Sequence, residues 1–381
     1  MKKNLVLVLI TLISSEFLSC KLSSQLNVPD DFQHNKPANG DLPTDATAKI
    51  EQVSKNVYVI IHDDATDEWP HSNVGVIIGD KEVLVIDADY LPSRARADIS
   101  LIKKITAKPV KYLVYTHWHF DHNNGAVAYV DSFPGIKIIC EKESAEFVEL
   151  NAVWWSKMTT APNSNKRNSL KILKDELALG KDTATGTIFS DEEKNRRKKI
   201  IDQRTNELNE LTGLRVITPN WSFEDKLNLD LGNKRVQLKD WGKANSPHDV
   251  TIYLPDDKVL FTGDIVVQSP LPYTGASWPV PWIKVLKQVE NISAKKIVPG
   301  HGPVFNDFTY VKQVRAFFED AINKVEILVR EGKTLPEIQK TIDLNDHLKA
   351  PWNKDEDAIK DFKTTVDMLV ERIWRGIRGQ G

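Results

Sequence analysis

Short β-branched runs alternate with longer amphipathic stretches along most of the chain. VYVII (57–61), VGVII (74–78) and EVLVID (82–87) are apolar runs punctuated by Gly-Asp, and each predicts a strand. Ser93 precedes a segment with Ile99, Ile102 and Ile105 on one side, which predicts a helix capped by that serine. VKYLVYT (110–116) and IKIIC (136–140) predict further strands, and residues 222–230 and 234–240 alternate as a strand pair. VTIYLP (250–255) and KVLFTGD (258–264) predict a hairpin that turns at Asp256-Asp257. Trp282, Val285, Leu286, Val289 and Ile292 mark an amphipathic helix ahead of a strand in KKIVPGHG (295–302). Strands interleaved with helices predict a layered α/β fold whose structure begins near Ile50.

A different texture interrupts this pattern. Residues 151–215 are polar and poor in strand formers, with a capping-box pair at Ser190 and Glu193 and with Leu208 and Leu211 on one face, so they predict a helical insertion. It opens with Trp154 and Trp155, which either pack the insertion on the core or wall a cleft. PLPYTGASWPVPW (270–282) is read as a passive loop or as a wall of the same cleft. Beyond it, helices are expected near 307–331, 335–343 and 355–378, the second with a capping box from Thr334 to Glu337. This C-terminal portion either docks on the domain or forms a dimer surface.

The N-terminus changes the picture of where the chain works. Lys2 and Lys3 precede a run from Leu5 to Ile13 that is apolar except for Thr11, the pattern of a secretory signal. FLSC (17–20) resembles a lipoprotein cleavage box with Phe17 in place of the usual leucine. The expected layout is a signal peptide over 1–19, a flexible tether over 20–48, a domain over 49–315 and a helical extension over 316–381. Lipid on Cys20 would hold the protein at a bacterial membrane facing the periplasm, leaving Cys140 as a small core residue. The formal charge of −2 gives no reason to expect a nucleic-acid partner, and nothing in the sequence sets an oligomeric state.

The chemistry is concentrated in one place. Residues 116–125 read THWHFDHNNG, and His117, His119, Asp121 and His122 stand just past the end of a predicted strand. His117 and His119 can turn toward one point, while Asp121 and His122 serve a second point close by; imidazole and carboxylate together suit a pair of zinc-sized cations. Further ligand candidates lie at other turns and strand ends: His248 in NSPHDVT, Asp264 in VLFTGD and His301 in VPGHGP. Thr116 and Asn123 flank the cluster and either orient its ligands or cap its loop. His34, His62, His71 and His347 lack such a setting and read as ordinary surface or core residues.

HWHFDH matches the HxHxDH signature of the metallo-β-lactamase superfamily, and His248, Asp264 and His301 follow in the order of that family's remaining ligands. The resemblance spans roughly residues 50–310, broken by the insertion. It implies a four-layered αβ/βα sandwich holding two zinc ions: His117, His119 and His248 on the first, Asp121, His122 and His301 on the second, and Asp264 bridging them. A lactamase subgroup that carries Cys in place of Asp264 is a poorer match, as are di-iron redox relatives with Glu in place of His119.

The resemblance therefore implies a zinc hydrolase in which Asp121 and Asp264 serve catalysis and metal-bound hydroxide attacks a small carbonyl or phosphoryl substrate. Lactam, lactone, thioester, ester and phosphodiester cleavage all use this chemistry, and export makes a β-lactam a natural candidate. The alternatives are an iron oxygenase on the same scaffold and a non-catalytic metal-binding lipoprotein.

Overall fold

A computed structural model describes residues 48–62, 71–150, 161, 164–268, 271–353 and 356–379. The expected signal peptide, Cys20, His34, Trp154 and Trp155, and all of the expected tether except residue 48, lie outside the described residues.

The first sheet has seven strands in sequential order: β1 (Ala48–Ser54), β2 (Val57–His62), β3 (Val74–Ile78), β4 (Val83–Ile86), β5 (Val110–Val114), β6 (Lys137–Glu141) and β7 (Trp221–Phe223). Pairing from β1 to β4 is antiparallel; from β4 to β7 it is parallel. The second sheet contains β8 (Lys226–Asp230), β9 (Arg235–Asp240), β10 (Val250–Leu254), β11 (Val259–Phe261) and β12 (Lys296–Val298), in the order β12-β11-β10-β9-β8.

Alternation along the strands builds the layers. Val59, Ile77, Leu84, Ile86, Val114 and Ile139 face the second sheet and meet Leu238, Ile252, Val259 and Phe261. Their neighbours Ile60, Val76, Val85, Leu113 and Ile138 face outward, where α1 (Pro92–Ile105) and α2 (Ala126–Ser132) cover them with Ile99, Ile102 and Tyr129. With both faces covered, the strands can be apolar on both sides, which is why they read as continuous β-branched runs. Each such side chain stabilises the fold by about 1.5–3 kcal/mol when fully buried. Cys140 packs in the outer cluster as a small core residue.

On the far side, α5 (Pro279–Val289) and α6 (Thr309–Arg330) cover the second sheet, with Trp282, Val285 and Phe318 against Leu260 and Ile265. The order is therefore helix, sheet, sheet, helix, as the sequence resemblance implied. The C-terminal helices α7 (Leu335–Thr341) and α8 (Glu356–Ile377) continue this core through Ile338, Leu369 and Val370, so the extension docks on the domain. The expected boundary at residue 316 falls inside α6. No helix among the described residues is long and apolar enough to cross a membrane.

The insertion contributes α3 (Asn165–Leu179) and α4 (Asp191–Leu211), which pair through Leu170, Ile201 and Leu208. Ser190 caps α4 by accepting the Glu193 N–H. Leu211 anchors the pair on Tyr90, Leu91 and Phe120, and the Tyr90 hydroxyl donates to Glu207 at 2.5 Å.

Two local readings are corrected. Leu91, not Ser93, is the N-cap of α1, because Pro92 occupies the first turn; the Ser93 N–H is instead satisfied by Glu210 of α4 at 2.9 Å. Residues 222–230 are not one strand. Asp225 takes φ +57°, and the chain leaves the first sheet after Phe223 to start the second at Lys226.

Candidate metal centre

Every residue of the centre lies just beyond a strand. β5 leads into His117 and His119, a 3-10 turn over Phe120–His122 carries Asp121 and His122, another over Gly263–Ile265 carries Asp264 after β11, and His301 follows β12. The sheets hold these loops at one end of the sandwich, where Val250 N–H donates to Thr116 C=O and ties the sheets together at 3.0 Å. Gly300 makes the approach possible: a Cβ there would overlap the Asp264 carboxylate.

Six of the seven expected ligands converge. His117 Nε2 lies 2.9 Å from His119 Nδ1 and 3.8 Å from Asp264 Oδ2. Asp264 Oδ1 lies 3.2 Å from His122 Nε2 and 3.5 Å from His301 Nε2. Asp121 Oδ2 lies 3.1 Å from His301 Nε2 and 3.5 Å from His122 Nε2. Two sets emerge, His117–His119–Asp264 and Asp121–His122–Asp264–His301, sharing Asp264.

The outward-facing atoms fix the imidazole tautomers. The Thr116 hydroxyl donates its one proton to Asp87 Oδ2 at 2.9 Å, so at 3.0 Å its oxygen accepts from His117 Nδ1–H. His122 Nδ1–H donates to Asp87 Oδ2 at 2.8 Å, and His301 Nδ1–H donates to the His71 carbonyl at 2.8 Å. Each Nε2 therefore turns a lone pair inward, the arrangement a metal-binding histidine needs. His122 Nε2 and Asp264 Oδ1 are buried with no hydrogen-bond partner among the described residues, so the donor set fits a cation.

Electrostatics agrees. Burial, with His122, His119 and His301 close by, pushes the His117 pKa well below its ordinary value and keeps the ring neutral. Burial also pulls at His122, but Asp264, Asp87 and Asp121 outweigh it and raise its pKa well above the usual range. Such a proton occupies the place a divalent cation would take, and metal binding would release it. Burial likewise disfavours the Asp121 carboxylate, yet His122, His301 and His119 hold its pKa low and keep it ionised.

His248 does not join the centre. Its Nδ1 lies 3.0 Å from Asp240 Oδ2 and 3.6 Å from Glu141 Oε2, and its Nε2 lies 3.0 Å from Glu143 Oε2. The hydrogen bond to Asp240, working against partial burial, raises its pKa to about 9, with Glu141 and Glu143 adding to the effect. Both ring nitrogens thus face these carboxylates, away from Asp264 and the other converging ligands. Its backbone carbonyl is held by the Ser144 and Ser246 hydroxyls, which set the loop in this orientation.

Other residues escaped sequence reading. Asp87 directly follows β4 and binds Thr116 and His122; a carboxylate just past a strand was the available signal. Asn73 clamps the His301 loop, its amide donating to Pro299 C=O at 2.9 Å and Gly302 C=O at 2.8 Å. His71, read as ordinary, fixes His301 through its carbonyl, while His62 lies 3.1 Å from Asp89 and 3.2 Å from Asp98 in a buried ion-pair cluster. His347 pairs with Asp320 far from the centre, at 3.0 Å. Asn123 caps the loop, donating to the Trp118 and His119 carbonyls. From the stretch 271–282, Tyr273 reaches the centre, its ring 6.4 Å from that of His119, edge to face, while Trp282 packs in the core.

A helix–sheet–sheet–helix sandwich with buried imidazoles and carboxylates at its strand ends is a metallo-hydrolase scaffold. The description "Metallo-beta-lactamase superfamily" matches residues 67–301, and the chain belongs to that superfamily. It is 24% identical over 309 residues to a linear primary-alkylsulfatase of Pseudomonas sp., an alignment covering 78% of this chain and 54% of the relative. The chain thus spans about half the length of the curated relative it matches. Among solved structures, the inverting sec-alkylsulfatase Pisa1 from Pseudomonas sp. aligns with a TM-score of 0.58 and 18% identity, over 85% of this chain and 50% of its own. A metallo-beta-lactamase from Pontibacter korlensis aligns with a TM-score of 0.51 and 16% identity, over 72% of this chain and 99% of its own.

Proposed function

We propose that this superfamily hydrolase is a two-zinc enzyme and that its substrate is a small anionic ester, with alkyl sulfate monoesters the first class to test. The observation that carries the two-metal reading is Asp264, whose two oxygens face different histidine sets. In this reading His117, His119 and Asp264 hold one ion, and Asp121, His122, Asp264 and His301 hold the other. Two bound divalent ions supply an activated water and an electrophile for the substrate oxygen.

The protein's own part is placement. Asp87 and the His71 carbonyl hold the imidazoles so that their lone pairs stay inward. Asp264 would orient the attacking water by accepting a hydrogen bond from it, and Asp121, kept ionised by the surrounding histidines, would help to anchor the second ion. Two dications against these two carboxylates leave a positive surplus that favours an anionic substrate. A sulfate monoester is such a substrate, and the alkylsulfatase relative aligns over most of this chain, which supports testing that class first.

The test is a screen of zinc-loaded protein against an alkyl sulfate, a chromogenic cephalosporin, a lactone, a thioester and a phosphodiester. Release of inorganic sulfate at a rate that falls with His119→Ala supports the reading. Turnover of another member of the panel with no sulfate release rejects the sulfate class and keeps the two-metal hydrolase. Anchoring through lipid on Cys20 stands as a separate proposal, tested by labelling cells with a fatty-acid probe.

A further inference from the structure

The two ligand sets are unequal. The second set has four members and the first has three, one of them the shared Asp264, because His248 is held elsewhere by Asp240, Glu141 and Glu143. A zinc-like ion held by protein alone takes four ligands, and one exposed to substrate keeps three protein ligands besides the open position. Leaving the shared Asp264 aside, the second set has three members and the first has two, so the first is the poorer by one donor.

Asn245 has the properties of that donor. It lies three residues before His248, in the same loop ahead of β10, and is fully buried. Its Nδ2 donates to the Tyr273 carbonyl at 2.9 Å, while its Oδ1 is buried without a hydrogen-bond partner among the described residues. The amide orientation is not arbitrary: rotating it would set Oδ1 against the Tyr273 carbonyl oxygen, acceptor against acceptor. A buried amide oxygen with no donor is costly to leave unmatched. The loop also sits beside the first set. The Tyr273 ring packs 6.4 Å from His119, and Val250, at the end of the loop, donates to Thr116, next to His117.

We infer that the Asn245 side-chain oxygen is the third unshared protein ligand of the His117–His119 site, beside the bridging Asp264, where the resemblance implied a histidine. This rests on the two-metal reading above. A neutral amide oxygen is a weaker and harder donor than imidazole. The first site then binds zinc more weakly than the second, and its ion keeps more positive charge to present to a substrate.

The test is a titration of metal-free protein with Co2+, followed by its visible absorption, and by Zn2+ competition, in wild type and three variants whose folding is checked by circular dichroism. Wild type should fill in two separate phases. Asn245→Asp, which keeps the side-chain shape, and Asn245→His should each tighten the weaker phase by about tenfold, while Asn245→Ala loosens it by about tenfold. The stronger phase should move by less than about twofold in all three, since its ligands are untouched. Asn245→His should also shift the Co2+ absorption bands of the weaker site, as nitrogen replaces oxygen. If both phases and the spectrum are the same in all four proteins, Asn245 is no ligand, even though the two-metal reading stands. If wild type takes up one ion or none, the two-metal reading itself fails.

Discussion

Asp87 Oδ2 lies 2.8 Å from His122 Nδ1 and 2.9 Å from the Thr116 hydroxyl, so one buried carboxylate sets the tautomer of both His122 and, through Thr116, His117. One side chain thereby governs an imidazole in each ligand set.

Asp87→Asn should weaken metal binding at both sites. The amide can present an NH2 group where two N–H or O–H donors now point, which frees the imidazoles to turn. The expected loss is about 10- to 100-fold in zinc affinity, read by competition with a chromophoric chelator. Unchanged affinity at both sites would remove Asp87 from this role.

His248 should matter for stability and not for metal. His248→Gln is expected to keep the wild-type zinc content. The folded-state pKa is about 9 against about 6.5 unfolded, so the protonated ring stabilises the fold fully below pH ~6.5. That stability is lost as pH rises through 9. The ring is partly exposed, so screening leaves ~1 kcal/mol of the effect. The melting temperatures of wild type and variant should therefore differ most near pH ~6 and converge above pH ~9.5. A gap independent of pH would contradict the ion-pair assignment.

Removing metal should lower the melting temperature. The centre crowds Asp121, Asp264 and four imidazoles away from water, and a cation that binds only the folded state stabilises it by about 2.7 kcal/mol at a hundred times its dissociation constant. Scanning calorimetry in chelator and then in added zinc should show a reversible shift of several degrees. No shift would mean that the pocket takes up no ion under those conditions.

Glu207→Gln should loosen the insertion without changing zinc content. Glu207 accepts from the Tyr90 hydroxyl at 2.5 Å and pairs with Lys166 at 2.7 Å, both largely buried. Losing the charge weakens both of these contacts and should cost about 1–3 kcal/mol. Hydrogen exchange over residues 165–211 should accelerate while β5 stays protected.

What the sequence determined by itself was the strands, their ends and the chemistry placed there. VKYLVYT and KVLFTGD are legible because largely buried strands read as β-branched and apolar runs, and HWHFDH, Asp264 and His301 stand directly at such ends. A strand end fixes which edge of a sheet a residue occupies. It does not fix which side of the following loop faces the pocket. His248 lies at the correct end of β10, yet Glu141 and Glu143, brought up from β6 and the segment after it, join Asp240 in turning it outward. Asn245, with no motif to mark it, is the residue buried beside Tyr273. Asp87 and His71 act through contacts with partners far along the chain, His122 and His301. Pairing of β4 with β5 brings Asp87 to His122, and packing of the two sheets brings His71 to His301; contacts between segments well separated in the chain leave no periodicity in either of them.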